Sequence, residues 1–220
     1  MSQATQQPKH RPVNLQSPRS FASSFRFPVQ SQESRREVLI GALWLLFLPP
    51  VGWILNMGHR IMMVHNMQNG RPAWPAWTDY GALFKHGFLT FLGMVEYHAP
   101  SVVCGYFAWK HDIFALRILS IVLWIIATVA VPGYMSHYCK KLDPREIFDP
   151  MRAMRRVVEG GAAYWKAWGI VLCGMVLSFS GLLLLGIGFF YTSVWFWQSA
   201  GFSFACVFTQ KFQLDGEAKA

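Results

Sequence analysis

The sequence predicts an all-α, polytopic membrane protein, with four full transmembrane helices, a Pro-broken segment ahead of them and a short amphipathic surface helix. Three observations carry this reading. Four long apolar stretches, Gly87–Trp109, Ile113–Tyr134, Ile170–Gly188 and Phe190–Phe208, each come close to the roughly 20 apolar residues that a helix needs to cross a bilayer core. The composition, 53% hydrophobic and 14% charged over 220 residues, fits one polytopic domain with no appended soluble domain. Trp74, Trp77, Trp109, Trp165 and Trp168 stand where apolar runs end, at the level that amphipathic rings prefer in a membrane.

Residues 1–35 are rich in Gln, Ser, Pro and Arg and are predicted to be a disordered basic tail. A single helical membrane domain then spans 36–211, and 212–220 form a C-terminal tail. The domain opens on Val38–Met57, an apolar segment interrupted by Pro49 and Pro50. Adjacent prolines remove two backbone donors, so this segment is either a kinked span or a re-entrant hairpin. A polar connection follows at Gly58–His86, with turn chemistry at Asn69-Gly70-Arg71-Pro72 and a helix cap at Thr78 or Asp79. After the second span, Met135–Lys166 carries a basic cluster. Asp149-Pro150 starts a helix there, with Met151, Met154 and Val158 on one face and Arg152, Arg155 and Arg156 on the other. This pattern predicts a helix lying on the membrane surface, ended by Gly160-Gly161. The last apolar region, free of charge, requires two spans and a tight turn near Gly186–Thr192.

The net charge of +9 points to anionic lipid and to basic loops retained in the cytoplasm, and away from nucleic acid. Both basic connections and the C-terminus are then cytoplasmic, and the Lys110–Asp112 loop is external. The four cysteines are dispersed and form neither a disulfide framework nor a zinc motif. Two short strings recur about 80 residues apart: Ala42-Leu43-Trp44-Leu45-Leu46 matches Val122–Ile126, and Leu92–Val95 matches Cys173–Val176. They outline a weak repeat of 38–110 on 113–208.

Gly58-x-Arg60, Asn69-Gly70-Arg71-Pro72, Pro75-x-Trp77-x-Asp79-Tyr80-Gly81-x-Leu83-Phe84, Gly87 and Tyr97-x-x-Pro100 form a recognisable series. Asp149-Pro150-Met151-Arg152 and Tyr164 extend it. The series resembles a family of uncharacterised prokaryotic multi-pass membrane proteins, catalogued as domain of unknown function four thousand and thirteen. The resemblance covers about residues 36–211 and is most specific at 69–100. It implies a helical membrane fold and a prokaryotic inner or intracytoplasmic membrane, and no chemistry. Glu96 and His98 depart from the family's apolar pattern.

The intramembrane polar candidates are Glu96, His98, Asn56 and Arg117. Ionisable groups at such depth mark functional positions or paired structural ones. Glu96 is expected to pair with Arg117, or with Lys110. His98 is expected either to bond the backbone carbonyl freed by Pro100 or to serve as an axial ligand to haem or chlorin. Met57, His59, His65, Met135 and His137 offer thioether and imidazole donors of the kind that suit copper. Arg152, Arg155 and Arg156 are expected to bind anionic headgroups or a partner. No phosphate-cradling glycine motif, nucleophile elbow or HExxH motif occurs. The leading expectation is a non-enzymatic scaffold or accessory subunit that associates with other membrane subunits or with itself. The alternatives are a small oligomeric transporter or channel, and a pigment- or metal-binding subunit using His98 or the Met/His cluster.

Overall fold

The protein is described here from a computed structural model covering residues 13–16 and 20–214. Among these residues there are seven α-helices and no strand: α1 (Phe21–Arg26), α2 (Gln32–Phe47), α3 (Pro49–Gln68), α4 (Tyr80–His111), α5 (Phe114–Lys141), α6 (Pro150–Ser178) and α7 (Ile187–Phe212).

The Pro-broken segment is a hairpin. Leu48 leaves the helical region at φ −138° and ψ 68°, and Pro49 and Pro50 open α3, where a helix has no use for their missing N–H groups. The chain then runs back along α2. Asn56 Nδ2 donates to the carbonyls of Gly41 (2.9 Å) and Gly52 (2.8 Å), and Glu37 meets His59 at 3.3 Å. Helix α3 does not stop at Met57 but continues to Gln68, so residues 58–68, expected to begin a polar connection, are helical instead. Their apolar spacing explains it. Ile61, Val64 and Met67 recur at helical intervals and enter the main core with Met63, carrying His59, Arg60 and Gln68 inward with them.

The remaining helices form two hairpins. α4 and α5 turn at Asp112, which adopts φ 53° and pairs with Arg117. Hydrogen bonds from Ser101 to the Ser120 carbonyl (2.7 Å) and between His86 and Tyr138 (2.6 Å) fix their antiparallel register. α6 and α7 turn at Leu184–Gly186, where Leu185 and Gly186 both have positive φ. The turn therefore lies at the front edge of the expected region. At the opposite pole, Gln68 Nε2 donates to the Ser136 carbonyl (3.0 Å) and to Thr209 Oγ1 (3.2 Å), so the ends of α3, α5 and α7 meet on one face. Asp79 caps α4 and Asp149 caps α6 through backbone amides, as the sequence indicates.

Three expectations need correction. The N-terminal tail is ordered in part: Phe27 is buried and stacks on Phe202 at 4.3 Å and Trp74 at 5.1 Å, while Trp195 Nε1 donates to the Phe25 carbonyl at 3.0 Å. Composition hides this because the Phe21, Phe25 and Phe27 rings lie among Ser and Arg; residues 1–12 and 17–19 are outside the described set. The helix starting at Asp149-Pro150 does not present three arginines outward. Arg156 is buried against α5 and pairs with Glu146 at 2.5 Å, Arg152 pairs with Glu146 and Asp149, and Arg155 stays exposed. Ala153, Arg156 and Val157 form the inward face, because Gly133 of α5 lets the backbone of Ala153 approach closely. Nor does Gly160-Gly161 end this helix: Gly161 (φ 54°, ψ −144°) bends it, and it resumes at once.

Two helical stretches, Phe114–Lys141 and Pro150–Leu183, are long and apolar enough to cross a membrane. Helices α4 and α7, where two further spans were expected, have the length but fall short in apolarity. Glu96 and His98 interrupt α4. In α7 the interruptions are Gln198, Ser199, Ser203 and Thr209, all turned into the protein.

Helices α3 and α4 touch through glycine. A methyl group on Gly58 would overlap the Leu83 carbonyl, and one on Gly87 the Ile54 carbonyl; both obstacles are backbone. Gly87→Val should therefore lower stability by about 2–4 kcal/mol, measured by thermal unfolding of purified protein in a neutral detergent. Gly169→Ala, which meets nothing within 4 Å, should change it little.

Candidate functional site

The centre of the molecule holds a cavity of about 350 Å³ walled by α3, α5, α6 and α7, with α4 closing one side. Its lining is mainly Trp, Met and aliphatic side chains. Arg60, Gln198, Asn56, His98, Thr128 and Ser136 supply the polar atoms.

Arg60 is the dominant charge. It projects from the middle of α3 and is 7% exposed. Its guanidinium lies over the Trp197 ring, 5.0 Å from the centroid, and packs on Gly201, where a larger residue would collide with its methylenes. Its Nε has no hydrogen-bond partner, and among the described residues no carboxylate pairs with it. A cation–π contact contributes about 1–2 kcal/mol when desolvated. That falls short of the several kcal/mol that an ion loses on leaving water.

The residue next to it is fully engaged. The His59 Nε2–H donates to the Pro75 carbonyl (3.1 Å) and lies 3.3 Å from Glu37, while Nδ1 accepts from Gln198 Nε2 (3.2 Å). The ring stacks on Trp77 at 4.4 Å. Glu37 is thus committed to His59 and leaves Arg60 without a counterion. Asn56 and Gln198 also line the cavity; their Oδ1 and Oε1 atoms are buried without partners, Asn56 Oδ1 lying against Gly41.

On the α4 side His98 closes the cavity. Its Nδ1–H donates to the Met94 carbonyl (2.7 Å), its Nε2 lies 3.2 Å from Thr128 Oγ1, and its ring meets the Trp124 ring edge-on at 4.5 Å. The bonded carbonyl is that of Met94, not of Glu96, whose carbonyl is the one Pro100 cannot serve. Both ring nitrogens are occupied, so an axial bond to haem or chlorin would displace Thr128 or Met94. Beyond His98 an apolar groove of about 530 Å³ runs along α4, bordered by Phe91, Val95 and Val102 and sharing Trp53, Met94, His98 and Trp124 with the cavity.

Of the sequence candidates, Asn56 and His98 come together here, with Met57 and Met135 on the same wall. Glu96 and Arg117 do not meet. Arg117 binds Asp112 at the α4–α5 turn, and Glu96 is exposed on the outer side of α4, with no bonded partner among the described residues. Antiparallel register is the cause: Ser101 lies opposite Ser120, so Glu96 is level with residues well beyond Arg117. The copper donors are scattered. His65 Nδ1 bonds the Cys139 carbonyl (2.7 Å), and His137 packs edge-on against Phe212 at 4.9 Å. Among the described residues no three His, Cys, Asp or Glu side chains converge on a metal position.

Sequence reading missed Arg60, Gln198 and Glu37. For Arg60 a signal existed, since it falls inside the apolar spacing of Met57, Ile61 and Val64. Glu37 and Gln198 carried none, because their roles depend on contacts across 22 and 139 residues. No protein-family model, curated protein or solved structure matches the chain.

An unpaired buried cation makes Arg60→Met stabilising, by about 1–3 kcal/mol in thermal unfolding, because methionine keeps the packing and removes the desolvation cost. Gln198→Leu should act in the opposite sense, by about 1–3 kcal/mol, because it strands His59 Nδ1 without a donor.

Proposed function

We propose that this chain is a non-enzymatic, multi-pass membrane protein that serves as an accessory subunit, docking to its partner through the outer face of α4. The observation that carries this reading is Glu96. It sits near the middle of α4 on a surface otherwise made of exposed Leu92, Val95, Val102 and Val103. In a bilayer a charge at such depth costs about 3 kcal/mol or more unless it meets a partner or water. No described residue of this chain supplies either, so a group on another subunit is the natural complement.

The membrane setting is supported by what the helices leave bare. Only 11% of the most apolar 18-residue window of α5 is buried, whereas the core helix of a soluble protein would be enclosed. Leu183 and Leu185 at the α6–α7 turn are 87% and 94% exposed. Basic residues segregate as well. Lys110 and Arg117 flank Asp112 at one pole, while Arg71, Lys140, Lys141, Arg145 and Lys211 gather at the other, which the positive-inside rule assigns to the cytoplasm. On that reading α4 to α7 form four spans, α2–α3 is a re-entrant hairpin, and both described ends face the cytoplasm. The resemblance to the uncharacterised prokaryotic family implies an inner or intracytoplasmic membrane location, which is part of the same proposal. The exposed Met151 and Val158 of α6, beside Arg155, suit a helix resting on anionic headgroups. A second reading, a small transporter, is favoured by the central cavity.

Two measurements test this. In a cysteine-free background, single cysteines at Arg71 and Arg145 should react with an impermeant maleimide only after the inner face is opened, and one at His111 from outside; labelling of Arg71 from outside contradicts the topology. On native gels of mild-detergent extracts, Glu96→Leu should shift the protein from a complex towards the monomer, with Glu96→Gln intermediate. An unaltered complex in Glu96→Leu removes the docking role.

A further inference from the structure

We propose that the cavity beside Arg60 binds a single-chain anionic amphiphile, with its acidic head on Arg60 and its chain leaving between Trp53 and Trp124 into the groove along α4. The head site at Arg60 lies inside the bundle, whereas the groove for the chain shares Val95 and Val102 with the α4 face proposed for docking; the inference depends on the membrane reading only for where the ligand comes from.

The cavity is built for a charge that this chain does not provide. Arg60 is 93% buried by its 7% exposure, Glu37 is committed to His59, and Nε has no partner. A guanidinium presents a planar fork that matches carboxylate or phosphate oxygens. Asn56 and Gln198 line the same cavity and bring side-chain amides close to the head. The rest of the wall is apolar, which a small free anion does not need. A purely apolar ligand, conversely, has no use for Arg60.

The path for the chain follows from the shared wall. Trp53, Met94, His98 and Trp124 border both the cavity and the lateral groove, so these four side chains are what separates the two spaces and what the ligand's chain would pass between. Trp53 lies seven residues before Arg60 on α3, about 10 Å along the helix at 1.5 Å per residue. A molecule with its head at Arg60 and its first methylenes at Trp53 therefore lies along α3, with its head towards the basic face and its tail opening sideways.

The tryptophans in the wall make the test direct. The full chain in neutral maltoside micelles is titrated with cis-parinaric acid, a conjugated fatty acid that quenches tryptophan by energy transfer, and separately with its methyl ester. The acid should bind saturably and the ester about tenfold more weakly or worse, since removing one partner of a buried charge pair typically costs at least that factor. Arg60→Gln should weaken the acid by about tenfold and bring it level with the ester, and Arg60→Lys should restore part of the difference. Thr128→Trp, which fills the passage while leaving Arg60 in place, should weaken acid and ester alike and keeps the test decisive if Arg60→Gln does not fold. Equal binding of acid and ester by the natural chain overturns the proposal. So does unchanged acid binding in both variants. Displacement of the probe by millimolar inorganic phosphate would replace it with a site for a free anion. The titration reads head-group preference in the purified chain and the native gel reads complex formation, so failure of one proposal is distinguished from failure of the other.

Discussion

The reversal of the chain at Leu48-Pro49-Pro50 determines the rest of the structure. Pro49 and Pro50 have no amide hydrogen to offer the preceding turn, so α2 ends there and the chain can reverse. Asn56 supplies one side-chain amide to the carbonyls of both Gly41 and Gly52, which ties α3 against α2 just after the turn. Once folded back, α3 occupies the middle of the molecule, touched by α2, α4, α5 and α7. Arg60 and His59 are central because this helix is central. Without the reversal they would lie on a straight rod and face whatever surrounded it.

The interior and exterior then divide the labour of solvation. Outward faces of α4, α5 and the α6–α7 turn are apolar and bare, whereas Gln68, Gln198, Ser203 and Thr209 are turned inward. The interior is largely apolar as well, so the bare apolar faces are an addition to an ordinary core and are compatible with a hydrocarbon surrounding. Helix α7 illustrates the consequence. Its polar residues spoil its apolarity as an isolated span, yet they are what it uses to hold α3 and α5, through Gln198 on His59 and Thr209 on Gln68. Two residues escape the division. Glu96 is polar and outward, and Arg60 is charged, inward and unpaired. Local rules are broken at both, which is where function is expected to reside.

Much of the fold was legible before the structure. Helical class, the caps at Asp79 and Asp149, the break at Pro49-Pro50 and the turn at Gly186 all rest on local chemistry, and local chemistry is written in adjacent residues. The extent of α3 was half legible: the Met57, Ile61, Val64 spacing was visible, but the polar residues between them suggested a connection. The site was less so. Asn56 and His98 were noticed as polar residues in apolar runs, but the anchor of the cavity, Arg60, was assigned to a loop. Arg156 was misplaced for a related reason. Helical spacing groups residues into faces, but which face turns inward depends on a neighbour, here Gly133 of α5 and the carboxylate of Glu146. Phe27 likewise reads as tail until Trp74 and Phe202 are there to receive it.

The central claim is that α2 and α3 lie side by side, with the start of α2 and the end of α3 at the same pole. The most direct measurement is the distance between spin labels at Arg36 and Arg71 by pulsed electron resonance, in cysteine-free protein reconstituted in vesicles. Both side chains are exposed and lie outside the packed interior. The hairpin predicts a separation below about 30 Å, whereas a straight helix across Pro49-Pro50 would hold the labels about 50 Å apart at 1.5 Å per residue. A distribution centred near the longer value would contradict the fold-back, and with it the central position of Arg60.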